Sequence, residues 1–122
     1  MNVTFKSYRD LDVWRKAMIL TRELYEATAR YPSDERFGLV SQMRRAAVSI
    51  PSNLAEGHSR SGAGEFRHFI SIAMGSVAEL ETQVILSVDL GFLNEDIEKH
   101  LLRQLDEIGK MLRGLYKSLT AR

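Results

Sequence analysis

The chain has 122 residues, a formal net charge of +1 and no cysteine. That length suits one domain able to bury a core without covalent or metal staples. The missing cysteines exclude disulfides, thiolate nucleophiles and Cys-based zinc sites, and the near-neutral total gives no global pull toward nucleic acid.

The amino terminus, MNVTFKSYRD, carries charges where a secretory signal needs an apolar core, and no run approaches the ~20 uninterrupted apolar residues of a membrane span. These features predict a soluble, cytoplasmic protein with no membrane partner. Only two prolines occur, Pro32 and Pro51, and a helical period runs between the breakers. The predicted fold class is all-α: an antiparallel up-down-up-down four-helix bundle over residues 10–122, preceded by an N-terminal arm, residues 1–9, in which Phe5 and Tyr8 suggest partial packing. The first helix, about 10–29, places Trp14, Ala17, Met18, Thr21, Tyr25 and Thr28 on one face. It ends before Tyr31-Pro32, because the residue preceding proline is biased out of the α region, and Ser33 or Asp34 can then cap the second helix.

The run from Gln42 to Gly57 is the most informative segment. Gln42, Arg45, Ser49, Asn53 and Glu56 recur every three or four positions and form one polar stripe. Met43, Ala46, Ala47, Ile50 and Leu54 form a separate apolar stripe, widened by Val48 and Ala55. The pattern predicts a helix buried on two sides, against its own bundle and against another subunit. Pro51 cannot donate to the Ala47 carbonyl, yet the polar stripe stays in phase through it, so a kinked but continuous helix is predicted. The Ser- and Gly-rich segment 58–64, with His58 as a solvated turn residue, reads as the connection to a third helix over about 65–90. Phe66, Phe69, Ala73, Val77, Leu80 and Val84 give that helix its core stripe. Gly91 is a candidate C-cap and Asn94 a candidate N-cap. The fourth helix, about 95–119, buries Leu101, Leu105, Ile108, Leu112 and Leu119.

Chemistry is harder to find. A ferritin-like dimetal centre needs two Glu-x-x-His pairs, and only Glu65 with His68 supplies one. No nucleophile elbow can form in an all-α chain, and the Gly-rich turn lacks the lysine and strand of a phosphate loop, although an anion at the start of the third helix would find Arg60 and Ser61 nearby. No catalytic residue, metal, cofactor or small-molecule substrate is predicted, and the chain reads as a non-enzyme. The internal polar residues point to structure. Glu79 shares a side of the third helix with Ile72, Gly75, Leu86 and Leu90, where an unpaired carboxylate would be costly. It is expected to pair with Arg45 or with a basic group of a neighbouring subunit, fixing register. Gly75, mid-helix at a cost of ~1 kcal/mol relative to alanine, suggests close helix packing.

Charge is unevenly distributed. No Lys or Arg lies between Arg67 and Lys99, whereas Arg103, Lys110, Arg113 and Lys117 fall along one side of the fourth helix, interrupted by Asp106. Such groups can contact phosphates without reading bases, and repetition in an oligomer would add weak contacts by avidity.

Several stretches match a known pattern. Leu11, Trp14, Ala17 and Tyr25, the link Tyr31-Pro32 with Glu35 and Phe37-Gly38-Leu39, the run Gln42 to Ala47, Ser49 to Asn53, Ala55 to Gly57, Glu65-Phe66 with Phe69, and Gly75-Ser76 with Glu79-Leu80 resemble the four-helix bundle proteins of the 23S rRNA intervening-sequence family. The resemblance covers about residues 5–118. It implies a bacterial bundle that assembles as a ring, typically a pentamer. Some members are encoded inside intervening sequences of large-subunit rRNA genes, and a related bundle protein is a nucleic-acid-binding accessory factor to the reverse transcriptase of diversity-generating retroelements. It implies no catalytic residue. The expectation is a non-enzymatic homo-oligomer acting as a nucleic-acid (RNA) or ribonucleoprotein accessory. The alternative is a structural or protein-binding scaffold without RNA affinity.

Overall fold

The computed structural model describes residues 7–120. Four helices account for most of them: α1 over Asp12–Thr28, α2 over Leu39–His58, α3 over Ala63–Asp89 and α4 over Glu95–Thr120, with short 3-10 turns at Tyr8–Asp10 and Ser33–Glu35. Cross-helix contacts fix the directions. Lys16 meets Glu107 and Glu23 meets His100, so α1 and α4 run oppositely. Likewise Arg67 reaches the Leu119 carbonyl while Val77 lies beside Gly109, for α3 and α4. Met43 meets Ser87 and Gly57 meets Phe69, for α2 and α3. Thr21 meets Ala47 and Thr28 meets Arg44, for α1 and α2. Sequential helices touch, α1 closes against α4, and among the described residues the backbones of neither diagonal pair approach closely. This is the expected up-down-up-down bundle.

The core fills with Leu20, Leu24, Met43, Ile50, Leu54, Ile70, Leu80, Leu105, Ile108 and Leu112, all fully buried. The α4 stripe is as predicted. On α1 the buried line is Val13, Ala17, Leu20, Leu24 and Thr28, so the predicted face is rotated toward the rim. Trp14 and Tyr25 explain the offset. Both are large rings with a polar end, and they pack at the margin, Trp14 edge-on to Tyr8 at 5.3 Å and Tyr25 beneath the Arg44 guanidinium. Of the predicted arm, residues 1–6, Phe5 included, lie outside the described residues. Ser7 and Asp10 form a capping box around the first 3-10 turn.

Two boundaries differ from the sequence reading. Ser33 and Asp34 belong to their own 3-10 turn, and Gly38 breaks the path before α2 begins at Leu39. The Leu39 N–H instead donates to Glu35 Oε1 at 3.2 Å, which satisfies one of the orphan donors of the first turn. His58 is the last helical residue of α2, half-buried, with its ring edge-on to Phe66 at 5.8 Å. The connection to α3 is therefore only Ser59–Gly62, and Gly62 takes φ +95, a value glycine adopts without strain. At the other end of α3 the Phe92 N–H donates to the Ser87 carbonyl and the Gly91 N–H to Val88, with Gly91 at φ +82. The C-cap predicted at Gly91 thus takes the form of a Schellman motif.

The α2 helix runs unbroken through Pro51, which is buried. Proline leaves the Ala47 carbonyl without its ladder donor. The Thr21 hydroxyl of α1 lies 3.3 Å from that carbonyl and 2.7 Å from the carbonyl of Ala17, so its one hydrogen is shared between the two helices. By length and composition α3 is apolar enough to cross a membrane. Its core-facing line is only half the reason. Ile72, Ile85, Leu86 and Leu90 point away from the core and remain 40–51% exposed.

Close packing of α2 on α3 depends on Gly57, where an added Cβ would lie 2.7 Å from Phe69 Cβ and 3.0 Å from Phe66 Cδ1. Gly57→Ala is expected to cost about 1–3 kcal/mol through overpacking. Thr21→Val, which leaves the Ala47 carbonyl without a donor, should cost about 1 kcal/mol. Both are read from the urea midpoint at constant m-value, and unchanged midpoints would refute the two assignments.

Candidate nucleic-acid interface

The α4 helix is set by its ends. The Asn94 side chain accepts the Ile97 N–H at 2.8 Å, and Glu95, Asp96 and Glu98 occupy the first turn, where the helix dipole favours negative charge. Burial of Leu101, Leu105, Ile108 and Leu112 then dictates which residues face out. Arg103, Lys110, Arg113 and Lys117 are all exposed, and at ~100° per residue they fall within an arc of about 80°. Lys110 is bound to Asp106 at 3.1 Å, one turn back. Arg113 crosses over Gly109 and shares a shallow hollow with Glu81 and Asp106. The arc is positive at both ends and partly neutralised in the middle.

A second basic surface was not anticipated from the sequence. Between the C-terminal half of α1 and the outer face of α2 lies a groove of about 660 Å³ with three arginines, Arg36, Arg44 and Arg45, and no carboxylate in its lining. Arg44 is fixed there. Its Nε donates to Thr28 Oγ1 at 3.0 Å, its Nη2 to the Tyr25 carbonyl at 3.2 Å, and its guanidinium sits 4.3 Å from the Tyr25 ring centroid. Phe37, at the mouth, is 89% exposed. The signal in the sequence is the pair Arg36-Phe37 followed by Arg44-Arg45 two helical turns on, which becomes readable once the 3-10 turn places Phe37 beside α2.

The polar stripe of α2 divides into three parts. Ser49 Oγ lies 2.7 Å from Ser76 Oγ on α3, and Asn53 Nδ2 donates to both the carbonyl and the hydroxyl of Ser49, at 2.7 and 2.9 Å. These form a hydrogen-bonded seam between the helices. Gln42 and Arg45 are exposed, Arg45 lining the groove, and Glu56 is turned outward onto Arg60 at 2.7 Å. The expected pairing of Glu79 with Arg45 does not occur within the chain. Glu79 is exposed and accepts from Gln83 Nε2 at 3.3 Å on its own helix. The reason is physical: within a single chain Ile72, Leu86 and Leu90 are themselves solvent-facing, so the carboxylate there keeps its water, and a basic group of a neighbouring subunit remains the alternative partner. Gly75 is exposed too, and a Cβ at its position would meet nothing within 4 Å. No helix of the same chain packs closely there.

Among the described residues no three His, Asp or Glu side chains converge as a metal would require, and Glu65 and His68 both face outward. Burial pushes the Tyr31 phenol above its usual range, with the Ser87 hydroxyl acting the other way. Tyr31 packs on Phe92 at the end of the bundle, and it lines neither basic surface.

The fold and its surfaces define a small helical-bundle protein with a polar α2–α3 seam and cationic outer edges. The chain belongs to the 23S rRNA-intervening sequence protein family, whose model matches residues 9–114. Its fold is similar to that of a protein of unknown function from the S23 ribosomal protein family of Bacteroides thetaiotaomicron. That crystal structure matches with a TM-score of 0.77 at 19% identity, over 86% of this chain and 95% of that one. No curated protein matches the chain.

The seam makes a quantitative prediction. In a double-mutant cycle with Ser49→Ala and Ser76→Ala, the coupling energy should be about 0.5–1.5 kcal/mol in urea unfolding, as for a part-buried hydroxyl pair. Strict additivity would mean the 2.7 Å contact carries no energy.

Proposed function

We propose that the protein is a non-enzymatic bundle that assembles with copies of itself and acts as a nucleic-acid or ribonucleoprotein accessory. The observation that carries the nucleic-acid part is the exposed arc of Arg103, Lys110, Arg113 and Lys117 with only Asp106 bound into it. Flexible cations on one helix edge meet phosphates and leave bases unread, so binding is weakly specific and salt-dependent. Repetition of the arc around an assembly converts several weak contacts into a useful affinity. Self-assembly is supported by the apolar side chains that α3 presents to solvent. The pentameric count follows from the resemblance alone.

Single-stranded RNA titrated against the full chain across a salt series is the direct test, with mass in solution measured alongside. A complex is expected whose log affinity falls linearly with log salt. Replacing the four basic residues by glutamine should weaken binding at least tenfold at about 0.1 M salt and flatten the slope. A pentamer would have five times the chain mass of 13.9 kDa. An intact oligomer with no RNA affinity at low salt would establish the scaffold alternative instead.

A further inference from the structure

Two exposed surfaces of this chain complement each other. The first is the α1–α2 groove, where Tyr25, Phe37 and Val48 supply apolar surface among Arg36, Arg44 and Arg45. The second is the outward ridge of α3. Ile72, Gly75, Glu79, Leu86 and Leu90 fall within about 60° of one another at ~100° per residue, with Asp89 one position before Leu90 and no Lys or Arg in the helix after Arg67. One surface is cationic and concave, the other anionic and convex, and both expose large apolar side chains. Their lengths agree as well. At ~1.5 Å per residue the helical part of the groove, Val40 to Ser52, is about 18 Å long and the ridge from Ile72 to Leu86 about 21 Å.

Gly75 adds an independent indication. It sits mid-helix at a cost of ~1 kcal/mol relative to alanine, yet nothing in its own chain comes near enough to require it. A bare stretch of backbone on an apolar ridge is a seat for a side chain from outside, and Phe37 is a large ring with almost no cover of its own. Glu79, which accepts a long hydrogen bond from Gln83, stands four residues along the same ridge.

We infer that the α1–α2 groove of one copy receives the α3 ridge of a second copy, with Arg45 opposite Glu79 and Phe37 over Gly75. The inference rests on the self-assembly reading above and specifies its interface. The inferred contact is heterologous, one groove taking one ridge, rather than the reciprocal pairing of a two-fold dimer. Each pair leaves one groove and one ridge unoccupied, and further copies add until the rotation closes a ring.

The test measures the mass of the full-length protein in solution by sedimentation velocity, with helicity by circular dichroism as the folding control. Arg45→Glu and Glu79→Arg should each raise the apparent dissociation constant of the assembly about 100-fold, because each places like charges together. The chain carrying both reversals should recover the wild-type mass. Phe37→Asp disables the groove and Leu86→Asp the ridge, and an equimolar mixture of these two variants should stop at a 1:1 dimer. A wild-type oligomer whose mass neither reversal changes would overturn the inference and leave self-assembly standing. A wild-type monomer would overturn both. Groove variants that lose RNA binding while keeping their mass would assign the groove to nucleic acid and likewise overturn the inference.

Discussion

The bundle is organised around a defect in the backbone of α2. Pro51 removes the donor that would close on the Ala47 carbonyl, and a buried acceptor without a donor is expensive. Thr21 of α1 shares its hydroxyl hydrogen with that carbonyl, so the repair comes from a neighbouring helix and sets the height of α1 against α2. Arg44 fixes the same pair one turn further along by reaching Thr28 and the Tyr25 carbonyl. On the opposite flank, the absence of a side chain at Gly57 admits Phe66 and Phe69, and Ser49 meets Ser76. Thus α2 is held on both sides by contacts specific in position, whereas α4 is held mainly by a continuous leucine-rich face.

The parts of the fold read correctly from sequence are those governed by local physics. The α4 stripe, the Asn94 cap, the Gly91 Schellman turn and the continuity of the pattern through Pro51 all depend on residues within one or two turns of each other. The errors come from positions where a distant partner decides. The spacing of Tyr25 fits the core line. Its ring is drawn to the rim by Arg44, nineteen positions away, with no local trace of that contact. The apolar neighbours of Glu79 point to a partner for its carboxylate, and within the chain that partner is not Arg45 but Gln83 of its own helix. Periodicity identifies an apolar stripe but not what lies against it, and within one chain no other helix covers this one. The arginine groove is not legible in the sequence because it joins three elements, α1, the turn before α2, and α2 itself, whose charges are ordinary when counted separately.

Charge therefore says more about this molecule as a map than as a total. A net +1 hides an α1–α2 side rich in arginine, an α3 without a Lys or Arg after Arg67, and an α4 edge where four cations meet Asp106. Family membership fits this picture without assigning any of these surfaces a ligand. The solved relative at 19% identity shares the fold, and at that distance surface charges are free to differ. The particular side chains of this chain therefore have to carry any account of what it touches.

The diagonal arrangement has an electrical consequence. Since the backbones of α2 and α4 do not approach closely among the described residues, and adjacent axes in such bundles lie 8–10 Å apart, the two helices are separated by a diagonal of about 13 Å through apolar core. Their exposed charges point in opposing directions and are further apart still, well beyond the ~8 Å screening length of physiological salt. The arginine groove and the basic edge of α4 are thus insulated from one another. Neutralising one leaves the potential at the other nearly unaltered, and substitutions on the two faces combine additively, so this small domain can vary one surface while the other keeps its own chemistry.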